Sequence, residues 1–334
     1  MLLCQYCSLF TRHGHLHFSY SSIVMAGSSS FKWGIFLPFL RLTGMAPFMT
    51  TKNNVYTKSK FWQYYSLFPL FFVTYSAVLI NTSLRVDSDK KFGLSTLFSV
   101  LDSIGYPFSA VFAIITIVKK HHLLIATLNQ FSKFHVILNN YEINDIKMTD
   151  FRLLCVYYAL EIMINVLATI DICLRDIIKI DSNVFIFIAF LMSNEVTGAT
   201  GLNFSLFAFN VKDLFQKLNI CLRKNKSVNN KSSINYLRRA HFYLCDLVAG
   251  VNGIFSEILF VSVAVEFGGL VFQLYRIENK DLYDQHFSNV FLFYWSIFYF
   301  AKFVVKIIVS WITCKEVWPA SRPQLCVEIK NGIA

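Results

Sequence analysis

Charge is scarce in this chain: Asp, Glu, Lys and Arg make up 15% of its 334 residues, while 55% are hydrophobic and 35 are Phe. A water-soluble domain of this size could not bury so much apolar surface, which excludes a soluble globular enzyme. Catalytic patterning is missing as well. There is no Gly-rich phosphate loop, no nucleophile elbow and no metal-ligand spacing above chance, so neither an enzyme nor a cofactor is expected. Internal repeats and Gly/Pro-broken paired half-chains are absent, which argues against a secondary transporter, the rival class that would also hold acids near the membrane midplane. The first residues lack a signal-peptide cleavage site, and Met25 is an alternative start.

The eight cysteines are scattered and read as small core hydrophobes rather than disulfide partners. Cys4, Cys7, His13, His15 and His17 lie close together, but their spacing matches no zinc finger and no metal is expected. The net charge is +11. Its placement follows membrane topology, so it does not point to nucleic acid.

What the chain has is long apolar runs. Six windows can span a bilayer: Trp62 to Asn81, Gly93 to Val118, Phe151 to Leu174, Asn183 to Phe209, Gly250 to Tyr275 and Phe287 to Thr313. With the N-terminus inside, the inner segments hold 6, 4, 8 and 3 Lys or Arg and the outer loops 3, 2 and 2. Basic residues are retained on the cytosolic side during insertion, so a cytosolic N-terminus is expected. The fold class is therefore all-α, a polytopic membrane helical bundle of six spans.

Several helices outrun the membrane. Leu237 to Tyr275 reads as one helix of 39 residues, about 58 Å long against a core of roughly 30 Å. Leu123, Leu124, Ile125, Leu128, Phe131, Phe134, Ile137 and Leu138 recur at three- and four-residue steps, as do Val211, Leu214, Phe215, Leu218 and Cys221. Such faces want partners outside lipid, and a cytosolic helical anchor is expected. The organisation is then a cytosolic segment over 1–60, a six-span domain over 61–314 with cytosolic extensions at 119–150 and 210–249, and an atypical cytosolic tail over 315–334.

The run HFYLCDLV from His241, followed by Val251, Asn252, Phe255, Ser256, Phe267, Leu274 and Tyr275, resembles the fifth span of insect gustatory receptors. FLPFLRLTGMAPF from Phe36 resembles that family's segment ahead of the first span, and Trp295 with the stretch closing at Cys314 and Glu316 resembles its sixth. The resemblance implies a tastant-gated cation channel of the plasma membrane. Four subunits, identical or mixed, would each carry seven helices, an outer-side tastant pocket and a cytosolic anchor around a central pore lined by the seventh helix. The departure comes after Thr313, where the sequence does not match the family's last span. A shortened form that does not conduct and modulates full-length subunits is the alternative reading.

Charged groups in lipid are costly unless they face a cavity or a partner. Counted from the outer helix ends, Asp102, Glu161, Glu195 and Glu266 share a layer roughly 12 to 20 Å deep. With Trp295, Tyr106, Phe108, Tyr158, Phe190 and Phe267 they are candidate ligand residues: carboxylates accept a ligand's hydroxyl or ammonium hydrogens while rings cover its carbon skeleton. Packing between helices is the other use for such acids. Glu257 lies deeper, level with Lys302 and Lys306, and is expected to pair with one of them. His241 and Asp246 are about 140° apart around their helix, so each is expected to bond elsewhere, with Asn252 a further anchor position.

Overall fold

The computed structural model describes residues 36–51, 55–86, 94–139, 183–226 and 231–278, with single positions at 156, 158, 159, 162, 163, 297, 300, 303, 304, 307 and 308. Helix α1 (Leu37–Leu42) has Pro38 in its first turn, where a fixed φ and a missing N–H cost nothing. It ends in a Schellman motif. The Gly44 N–H donates to the Arg41 carbonyl at 2.9 Å and the Met45 N–H to the Leu40 carbonyl at 2.7 Å. Leu40 and Met45, the apolar pair that closes such a motif, are both fully buried.

Two short strands follow, β1 (Phe48–Thr50) and β2 (Tyr56–Lys58), paired antiparallel with Phe48 opposite Lys58 and Thr50 opposite Tyr56. The chain is mostly helical, as the sequence leads one to expect, and this short hairpin is an addition that the sequence reading did not include. Three residues per strand are too few to show a two-residue alternation. Phe48 and Tyr56 meet edge-on at 5.4 Å inside the core.

Helix α2 (Lys60–Tyr65) is capped by the Ser59 hydroxyl, which accepts from the Trp62 N–H at 3.4 Å. It breaks at Ser66 and resumes as α3 (Leu67–Val86). Phe61, Tyr64, Phe68, Phe71, Tyr75 and Val78 are exposed in an alternating three- and four-residue rhythm that crosses the break. The two helices thus present one continuous apolar stripe.

Helix α4 (Leu94–Lys119) bends into α5 (His121–Asn139) by 68° at Lys120. At the break His121 Nδ1 donates to the Val118 carbonyl at 2.8 Å, satisfying an acceptor near the helix end. Helices α6 (Asn183–Lys226) and α7 (Lys231–Glu278) have 44 and 48 residues, about 66 and 72 Å at 1.5 Å per residue. Helix α7 therefore extends past both ends of the helix read from the sequence.

Helix α7 is the element along which the others register. Phe204 and Phe207 of α6 meet Phe255 at 6.1 and 5.5 Å, and Phe215 meets His241 at 5.6 Å, which makes α6 and α7 antiparallel. On another side, Gly105 of α4 approaches Val265, Lys120 reaches Gly253, and Phe134 of α5 stacks on Tyr243 at 6.0 Å. Helices α4 and α5 together follow α7 along most of its length. The amphipathic faces read from the sequence are buried: Leu124, Leu128, Phe131 and Phe134 on α5, and Val211, Leu214, Phe215, Leu218 and Cys221 on α6.

Among the described residues, Arg239–Phe272 is long and apolar enough to cross a bilayer alone, and the bent pair Ile104–Lys119 and His121–Phe134 meets the same test jointly. The third and sixth expected spans fall almost wholly outside the described residues.

Candidate ligand site

Buried polar side chains collect where α4, α6 and α7 meet. Tyr106 and Ser109 lie one turn apart on α4, Ser193, Asn194 and Thr197 on α6, and Ser262 and Glu266 one turn apart on α7. Glu266 is 1% exposed. The level of the three helices follows from contacts already given. Gly105 and Val265 bring Tyr106 and Glu266 alongside each other, since a Cβ on Gly105 would stand 3.1 Å from Val265 Cγ1. Continuing the α6–α7 register outward from Phe204 and Phe255 sets Ser193 and Asn194 level with Glu266.

The local sequence explains how polar groups are tolerated there. The Thr197 and Thr200 hydroxyls donate to the carbonyls of Ser193 and Val196, both at 2.9 Å, so α6 satisfies them internally. Pro107, inside α4, removes the N–H that would bond to the Ser103 carbonyl, loosening the helix beside Tyr106. Tyr106, Ser193, Asn194, Ser262 and Glu266 each engage at least one neighbouring group. The layer can donate and accept hydrogen bonds at several points around a carboxylate, which suits a hydroxylated or amine-bearing organic molecule.

Of the acids read from the sequence, Glu266 lies in this layer and Glu195 is half-buried on α6 beside Asn194. Asp102 lies on α4, one turn before Tyr106, with its side chain outside the described set. Glu161, Trp295, Lys302 and Lys306 are not among the described residues, and neither are Cys4, Cys7, His13, His15 and His17. Phe108 is exposed, as is Phe267, which meets Phe303 at 5.8 Å. Tyr158 packs edge-on against Phe36 and Phe39 of the N-terminal segment. Among the described residues no group of three His, Cys, Asp or Glu side chains could hold a metal ion.

In the lower half, His241 packs its ring on Phe215, with Nδ1 3.8 Å from Cys245 Sγ. Asp246 is exposed and Asn252 half-buried. Glu257 takes a partner that the sequence reading did not name. Lys120 Nζ lies 2.9 Å from Glu257 Oε2 and donates to the Gly253 carbonyl at 2.7 Å. The pair ties the bend between α4 and α5 to α7. With the Glu257 side chain 60% exposed, it adds little stability and acts mainly as a locator.

The comparison that places this architecture is structural. The chain superposes on the insect olfactory receptor OR5 from Machilis hrabei with a TM-score of 0.65 over 86% of this chain and 80% of that one, at 13% sequence identity. The chain has the fold of an insect olfactory receptor. No family model and no curated protein matches its sequence. At that identity the likeness concerns backbone architecture, and side-chain roles rest on the geometry above.

Sequence reasoning missed two other positions that organise the molecule. Asn129 of α5 clasps β2: its Oδ1 accepts from the Tyr56 N–H and its Nδ2 donates to the Tyr56 carbonyl, both at 2.8 Å. Asn203, buried on α6, reaches the Met45 carbonyl with Nδ2 at 3.4 Å. A polar residue on the apolar face of each helix was the available signal, but single polar residues occur there too often to single these out.

Proposed function

We propose that this chain is a subunit of a plasma-membrane chemoreceptor, a ligand-gated cation channel of the gustatory type whose small-molecule ligand binds at the Glu266 layer. The observation that carries the reading is a buried carboxylate on α7, level with buried polar side chains of α4 and α6, inside the fold of an insect olfactory receptor. The composition supports a bilayer setting, and so does the exposed aromatic stripe on α2 and α3.

The long helices support assembly. Helices α6 and α7 are each more than twice the length a bilayer requires. Their lower halves and α5 bury a shared apolar core, which we assign to a cytosolic anchor where four subunits, identical or mixed, come together. The gustatory assignment rests on the pattern from His241 to Tyr275.

The test is a response screen. Cells expressing the chain, alone and together with other gustatory subunits, are exposed to sugars, bitter alkaloids and amino acids while membrane current is recorded. A ligand-evoked cation current dependent on this chain supports the proposal. Surface-expressed protein that yields no chain-dependent current in any combination contradicts it.

A further inference from the structure

A recess lies at the N-terminal end of the α2–α3 stripe. It has a volume of about 270 Å³ and is lined by Pro38, Arg41, Leu42, Phe61, Trp62 and Tyr65, room for about nine waters at ~30 Å³ each. Among the described residues its one charged lining residue is Arg41, whose guanidinium carbon stands 4.8 Å from the centre of the Trp62 ring. Nη2 makes a long bond of 3.5 Å to the Phe48 carbonyl, and Nε has no hydrogen-bond partner among the described residues. Partial burial lowers the pKa of this guanidinium.

No acid of the same segment can neutralise it, because the first Asp or Glu in the sequence is Asp87. Exposed Lys58 lies just before α2, and exposed Lys60 is its first residue. Beyond them begins the apolar stripe from Phe61 to Val78, which includes Tyr64 and is flanked in α2 by Trp62 and Tyr65, residue types favoured where hydrocarbon meets headgroups. Cation, aromatic belt and hydrocarbon face follow one another in the order in which a phospholipid presents phosphate, glycerol and acyl chains.

We propose that this recess seats the phosphate of an anionic phospholipid, whose acyl chains lie along the stripe of α2 and α3. The proposal rests on the membrane reading above and adds a lipid site to it. One basic side chain near an anionic surface contributes about 1 kcal/mol, which corresponds to about fivefold local enrichment of the anionic lipid. Arg41 is the recognition residue, and its planar guanidinium matches a phosphate better than an ammonium would.

The test uses full-length protein in lipid nanodiscs containing either phosphatidylglycerol or phosphatidylcholine brominated in the acyl chains. Trp62 fluorescence is isolated as the difference between wild type and Trp62→Phe. About fivefold stronger quenching per mole by the brominated anionic lipid is expected, with Arg41→Gln bringing the two lipids level. Soluble glycerol phosphate should leave the preference unchanged; if it abolishes the preference, the site takes free phosphate and the lipid assignment is wrong. Equal quenching of wild type by both lipids overturns the proposal and leaves the membrane reading intact. Absence of quenching by either lipid overturns the membrane placement itself. The wild-type comparison decides the matter even if Arg41→Gln does not fold.

Discussion

At Gly44 the backbone takes φ +75°, and a Cβ added there would stand 3.2 Å from the Ser66 Cα. Both the dihedral and the space require glycine, and the Ser66 hydroxyl locks the approach by donating to the Gly44 carbonyl at 3.0 Å. Gly44→Ala should therefore lower stability by about 1 to 2 kcal/mol, seen as a lower melting temperature of the purified protein in detergent. Tyr56 sets a pH limit on the same region. Burial pushes its phenol up to about 12, whereas an unfolded tyrosine ionises near 10. The unfolded state loses this proton first, so the contribution is intact below about pH 10 and is lost as pH rises towards about 12, on the order of 3 kcal/mol in all. Melting temperatures measured across that window should fall more steeply for wild type than for Tyr56→Phe.

At the scale of elements, the sequence was most legible where periodicity is long. The face from Leu124 to Phe134 is buried along α5 as its spacing implies, because three- and four-residue steps leave one solution for a helix with a single apolar side. The hairpin was illegible for the opposite reason. Its strands are three residues long, and what docks one of them is a single amide from α5, 73 positions away. Asn129→Ala removes both partners of the Tyr56 backbone, a loss of about 1 to 3 kcal/mol. Hydrogen exchange at the Tyr56 amide should quicken tenfold or more, while α7 amides keep their protection. The contact of Lys120 with Glu257 was illegible on the same principle. Depth along a helix can be counted from sequence, but rotation relative to neighbouring helices cannot. Lys120, at a bend that no Pro or Gly marks, was not a visible rival to Lys302 and Lys306.

For the molecule as a whole, composition and apolar run length pointed to a helical membrane bundle, and motif pattern resembled insect gustatory receptors. The fold is shared with an insect olfactory receptor at 13% identity because buried helix faces constrain residue identity far more loosely than residue type. The site was legible only in part. Glu266 could be found as a charge deep in a span and Tyr106 as an aromatic near it, but Ser109, Ser193, Asn194 and Ser262 are ordinary helix residues until three helices align them. The central claim is that this layer binds the ligand that opens the channel. Its most direct test is the concentration–response curve of ligand-evoked current for wild type and Glu266→Gln at matched surface expression. Losing one charge-assisted hydrogen bond, about 1.5 to 3 kcal/mol, should shift half-maximal activation to at least tenfold higher ligand concentration with the maximal current retained. A curve unchanged by Glu266→Gln would contradict the account.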